Sequence, residues 1–250
     1  MVLGSFLFFT PFTRAQIEIG GEESKPEKEN HRKAERTVKA TQTDSGEESF
    51  TEAYMMVNWS NTTRILRQDD GILQVPLGER EFETPLNTWS YGVGVQTQLN
   101  DHLMWKGGMT LLSNGERYRL EEEDTLLAYQ TKYTYIGMPL KLLFTTGTGF
   151  KFMIGGGLTP QLFVQYRQDR EWRTTTGATG TETLKFKNGY ESFVLGAALN
   201  IGFQYRLNDQ WSFLFLPEYR IQLTNAYVKN DPYEYFGRAL GVDVGLTMKL

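Results

Sequence analysis

The chain has 250 residues with 26 Lys+Arg against 30 Asp+Glu, a net charge of −4, and no cysteine. That length suits one domain or a domain with a tail, and the cysteine count excludes disulfide staples, redox pairs and thiolate metal sites. The acidic balance and the lack of a basic cluster on a stacking surface argue against a nucleic-acid partner; no run approaches the roughly 20 apolar residues that a membrane helix requires, and the mean hydropathy is −0.44.

Leu3 to Phe12 is mainly apolar and is followed by Thr13-Arg14-Ala15-Gln16. Small residues at Thr13 and Ala15 predict a signal peptide over residues 1–15, although Met1 to Ser5 carries no Lys or Arg. Residues 16–49 are different in kind. Glu22, Glu23, Lys25, Glu27, Lys28, Glu29, Arg32, Lys33, Glu35 and Arg36 crowd a segment with few apolar side chains. Such a segment buries too little surface to offset its ordering entropy, so a flexible charged tether is expected, able to dock a protein partner.

From Phe50 the pattern changes to a period of two. Phe193, Leu195, Ala197, Leu199, Ile201, Phe203 and Tyr205 alternate with small or polar residues, and Leu240, Val242, Val244, Leu246, Met248 and Leu250 do the same. Ordinary strands average about 5–6 residues, whereas tilted strands crossing a bilayer need about 9–11. Eight strands are predicted at roughly 50–60, 87–99, 103–118, 126–144, 149–167, 189–206, 211–225 and 236–250. Connections at 99–102, 145–148 and 207–210 are tight, while those at 61–86, 119–125, 168–188 and 226–235 are long and polar. This layout predicts an all-β fold: an eight-stranded antiparallel up-and-down transmembrane β-barrel over 50–250, in a bacterial outer membrane, with both termini periplasmic. An even strand number also closes the sheet without a lipid-exposed edge.

A soluble ligand-binding barrel of the lipocalin kind alternates too, with its faces reversed. Gly92, Gly94, Gly108, Gly155, Gly157, Gly196, Gly202, Gly241 and Gly245 all fall on the less apolar face. Glycine weakens a solvent-facing strand but relieves crowding in a narrow lumen, so the polar face is read as the inside. There Glu52, Lys106, Lys141, Glu218, Arg220 and Asp243 form a balanced set of three acids and three bases, expected to pair structurally. The opposite face, with Trp89, Tyr91, Trp105, Phe150, Phe152, Tyr166, Trp211, Phe213, Phe215 and Tyr219, is expected to meet lipid.

The run Tyr133-Thr134-Tyr135-Ile136-Gly137-Met138-Pro139-Leu140-Lys141-Leu142-Leu143-Phe144 contains Tyr-x-x-x-Pro-Leu-x-Leu. With Trp105 to Tyr118 and Leu240 to Leu250, it resembles the outer-membrane β-barrel family of Bacteroidota that includes PorT-like proteins. The resemblance covers about residues 50–250 and implies a small outer-membrane barrel, with a part in protein secretion for the PorT-like members.

For catalysis, His31 lies in the tail and His102 in a tight turn, neither within reach of the long loops. The run Glu121 to Asp124 could hold a divalent cation but reads better as a solvated loop tip. Arg64, Arg67, Asp69, Asp70, Glu79, Arg80, Glu81 and Glu83 belong to the first long loop, and Arg167, Asp169, Arg170 and Arg173 lie around the third. Rim arginines can meet lipopolysaccharide phosphates or act as generic interfacial anchors. The expectation is a monomeric, non-enzymatic interaction or assembly protein with no catalytic residue, metal or cofactor, whose partners are outer-membrane lipid and a protein met through the tail or loops. A barrel enzyme acting on lipid or protein, and a soluble barrel, are the alternatives.

Overall fold

The computed structural model describes residues 50–68, 82–122, 124–228 and 233–250. The expected signal peptide, the charged tail, His31, Glu123 and the loop residues 69–81 lie outside these. Ten strand segments follow in chain order: β1 Thr51–Gln68, β2 Glu83–Asn100, β3 Leu103–Glu122, β4 Thr125–Gly137, β5 Leu140–Thr146, β6 Phe150–Arg173, β7 Thr179–Phe186, β8 Phe193–Arg206, β9 Trp211–Gln222 and β10 Tyr233–Lys249. They make eight courses of a closed ring. β4 and β5 are one course, both paired with β3 and β6 and interrupted at Met138–Pro139, where proline has no ladder donor. β7 and β8 lie along the same edge of β6, and β10 closes on β1 from Lys249↔Glu52 to Tyr233↔Gln68.

Paired residues followed round the ring from Glu52 run through Gln96, Lys106, Lys141, Gly157, Ala198, Arg220 and Ala239. They return to β1 at Thr62, a climb from position 52 to position 62. For eight strands a stagger of ten residues inclines them by about 40° to the axis. Along β8, Phe193 to Tyr205 then spans roughly 30 Å of height at ~3.3 Å per residue. That matches a hydrocarbon layer. The outward residues are what such a layer requires: Leu199 is 66% exposed, Leu240 65% and Val93 59%.

The three tight connections gather at one end, with Gly147 (φ 101°) and Gly149 (φ 76°) in the turn before β6. At the other end the strands run well past the apolar belt. Residues expected in long loops are extended ladder instead: Arg64 and Arg67 in β1, Glu83 in β2, and 168–173 with 179–186 as a β6–β7 hairpin closed by a short turn. Their alternation is polar on both faces, so hydrophobic period gave no sign of a strand.

Tyr166, expected on the lipid face, lies inside the barrel and is 6% exposed. The β4–β6 register shifts between Thr134 and Tyr135, which face Gln165 and Phe163, leaving Val164 as an extra residue. A bulge reverses the parity of everything beyond it, so Phe150 and Phe152 face out while Tyr166 faces in. Trp89, Tyr91 and Tyr219 are exposed like these two, and Trp105, Trp211, Phe213 and Phe215 are half-buried on the same outer side. The β2–β3 ladder also opens between Pro85 and Tyr91. Side-chain hydroxyls stitch this seam: Thr62 Oγ1 accepts from the Gly115 N–H at 3.0 Å, Ser90 Oγ accepts from the Ser113 N–H at 3.0 Å, and Thr88 Oγ1 donates to the Ser113 carbonyl at 2.9 Å.

Candidate functional site: a filled lumen beneath extended ribbons

The six expected lumen residues are all buried and all face inward. Near the turn end, Glu52 accepts from the Gln96 amide at 2.6 Å and from the Gln204 amide at 2.8 Å, and Gln204 also donates to Thr247. Above them Lys106 lies over the Tyr54 ring, 4.0 Å from its centroid, a cation–π contact in which, among the described residues, the ammonium has no hydrogen-bond acceptor. The mid-barrel holds the tightest group. Lys141 Nζ donates to Glu218 Oε2 at 2.6 Å and lies 3.9 Å from Asp243 Oδ2. Arg220 spans Glu218 Oε1 at 3.3 Å and Asn114 Oδ1 at 3.2 Å, and Asn58 donates to Asp243 at 2.8 Å. Ion-pair and hydrogen-bond partners of this kind offset the cost of taking these charges out of water.

The lumen is less polar than its glycine-rich face implied. Met104, Leu143, Met153, Leu214 and Leu216 form an apolar cluster in the lower half. Runs such as Phe213-Leu214-Phe215-Leu216 are apolar on both faces, so alternation could not mark them. In the upper half, Tyr133, Tyr135, Phe163, Tyr166 and Tyr235 pack with Leu112, Val194 and Ala226. Tyr190 and Tyr227, from connecting segments, meet in an isolated bridge and lean on this group, Phe163 and Tyr190 stacking at 4.8 Å. Val228 N–H to Gly189 carbonyl (3.3 Å) and Glu191 N–H to Ala226 carbonyl (2.8 Å) tie these segments together across the mouth. Tyr133 donates to Glu116 at 3.0 Å, and Arg64 joins Glu116 (3.5 Å) to Glu83. The rim arginine expected at position 64 is therefore part of the plug.

Voids within the polar column are small. One of about 20 Å³ lies between Asn58, Ser90, Lys141, Thr159, Glu218, Arg220 and Asp243, and another of about 10 Å³ touches Glu52, Lys151, Gln204 and Arg206. The first is the size of one water molecule. Among the described residues, side chains fill the polar column around these voids. In planar bilayers the purified chain is expected to give no discrete conductance steps, and steps in the wild type would contradict this geometry.

What remains chemically open is the far end. Beyond the belt, β3, β4, β6 and β7 form a ribbon with Tyr118 stacked on Tyr129 at 4.8 Å. Arg119 holds Glu121 at 2.8 Å, and Arg167 forks onto Asp169 at 3.1 Å while Thr183 donates to the same carboxylate at 2.7 Å. A concavity of about 410 Å³ on this ribbon is lined by Arg117, Tyr129, Asp169, Glu171 and Thr181 among others. His102, by contrast, sits in a tight turn stacked on Phe144 at 5.5 Å.

No curated protein matches this sequence. Among solved structures, the outer membrane protein OprG from Pseudomonas aeruginosa is similar at 12% identity and a TM-score of 0.41, over 81% of this chain and 95% of that one. Neisserial surface protein A is similar at 13% identity and a TM-score of 0.36, over 80% and 97%. Ail, the attachment invasion locus protein of Yersinia pestis, is similar at 12% and 0.31, over 79% and 99%. The profile of the outer membrane protein beta-barrel domain family matches residues 37–247. The chain belongs to that family and is a bacterial outer-membrane β-barrel protein.

Proposed function

We infer that this barrel is a non-enzymatic, monomeric interaction or assembly component of the outer membrane, oriented with both termini in the periplasm and the extended ribbons outside. The observation that carries the reading is the lumen: with a salt-bridged middle and a tyrosine plug above it, the ribbons are the surface left for activity among the described residues, and the charged sequence at 16–49 is the second candidate. The orientation is supported by the short turns at one end and long strands at the other, the arrangement found in barrels of this type. The resemblance of residues 133–144 to PorT-like strands makes a protein secretion apparatus the first partner to seek.

The test is a crosslinked pull-down from native outer membranes with the full chain and with residues 17–48 deleted. Enrichment of a defined protein complex that is lost or halved on deletion is the expected result. If no protein is enriched and a deletion strain shows only altered lipid A, an enzyme acting on lipid replaces this reading.

A further inference from the structure

On the outer wall, a groove of about 640 Å³ crosses β10, β1, β2, β3 and β4 within the apolar belt. Met55, Val57, Val93, Met109, Leu111 and Ile136 rim it, and Gly92 and Gly245 lie in its lining, where neither has a side chain to fill it. Above it the wall changes character in two steps. Ser113, Thr134 and Gln165 form a paired row across β3, β4 and β6. Two residues further along, Lys132, Arg167 and Lys185 form a second paired row across β4, β6 and β7. These three cations stand on the outer face with Asp169, which Arg167 and Thr183 already hold. Among the described residues neither lysine has a carboxylate within ion-pair distance.

The barrel's stagger joins the two features. Paired residues climb toward the ribbon end from β1 to β10, so the upper parts of β4 and β6 lean back over β3 and β2. At an inclination of about 40°, the cation row stands over the groove, roughly 10–15 Å above Ile136. An acyl groove, a hydroxyl and amide step, and a cationic row at the membrane border match, in order, the acyl chains, sugar and phosphates of one amphiphile.

We propose that this wall is a specific binding site for a phosphorylated, multiply acylated glycolipid of the outer leaflet, with one acyl chain in the groove and a phosphate on Lys132, Arg167 and Lys185. Guanidinium and ammonium groups bind phosphate through charge-assisted hydrogen bonds. The proposal rests on the ribbon end facing outward.

Native mass spectrometry of the full chain in detergent tests it, with bis-phosphorylated lipid A, the same lipid dephosphorylated, and phosphatidylglycerol in competition. Selective retention of bis-phosphorylated lipid A is expected. Tenfold or greater loss is expected in a Lys132→Gln/Arg167→Gln/Lys185→Gln variant and in Met109→Trp, which fills the groove; both should keep the heat-modifiable mobility of a folded barrel. Equal retention of phosphatidylglycerol or of the dephosphorylated lipid, or wild-type binding by either variant, overturns the proposal. The orientation is read separately. The chain has no cysteine, so Lys185→Cys on intact cells reacts with an impermeant maleimide only if the ribbons face outward. Failure to label refutes the orientation, whereas labelling without lipid selectivity refutes the lipid site alone.

Discussion

Replacing Glu218 by leucine is expected to destabilise the barrel by about 3–5 kcal/mol, because it strands buried cations that have lost their carboxylate. Glu218 meets Lys141 at 2.6 Å and Arg220 at 3.3 Å, and both basic side chains are nearly inaccessible to water. Asp243 is the next acid, 3.9 Å from Lys141, and it is already engaged by Asn58. The double variant Lys141→Met/Glu218→Leu removes one charge of each sign and should recover more than half of the loss, since well-packed apolar side chains often replace a buried pair at little cost. The measurement is the urea midpoint of the heat-modifiable band in lipid vesicles. A Glu218→Leu midpoint equal to that of the wild type would show that solvent reaches this site and that the column is not sealed.

Gly155→Val is expected to abolish the folded band altogether. A Cβ at this position falls inside contact distance of the Leu142 carbonyl oxygen and 2.7 Å from the Leu143 Cα, both backbone atoms of the paired strand that cannot rotate away. Overpacking of an ordinary core costs about 1–3 kcal/mol, occasionally more, and here the wall itself would have to part. Gly149→Ala is the contrasting case. Its φ of 76° is the only obstacle, because no atom lies within 4 Å of the added methyl. A cost of about 1–2 kcal/mol and a folded barrel are expected there. Both are read from the fraction of heat-modifiable protein after refolding into vesicles. A folded Gly155→Val species at wild-type yield would sink the close-approach account of the inward glycines.

These results bear on different parts of what the chain encodes. Alternation and turn chemistry made the eight courses, their tight connections and their inner and outer faces legible. A period of two assigns every side chain to a face, and lipid demands an uninterrupted apolar one. The six lumen charges were found by the same parity. Beyond the belt the signal failed, because ribbon strands such as 179–186 are polar on both sides and look like loop. Tyr166 was misplaced because a one-residue bulge at Val164 changes parity without any mark in composition. The Met and Leu cluster under the charged column was invisible within runs apolar on both faces.

The amino-acid sequence by itself determined that this chain closes a sheet in a membrane and which alternating residues line each side, because those follow from local period and from the cost of unpaired backbone in lipid. Only the tertiary structure decided who meets whom. The ten-residue stagger brings Lys141 of β5 onto Glu218 of β9, seats Arg64 between Glu83 and Glu116, and leans the Lys132 row over the groove at Ile136. Stagger is a property of the closed ring, summed over eight pairings, and no single strand carries it.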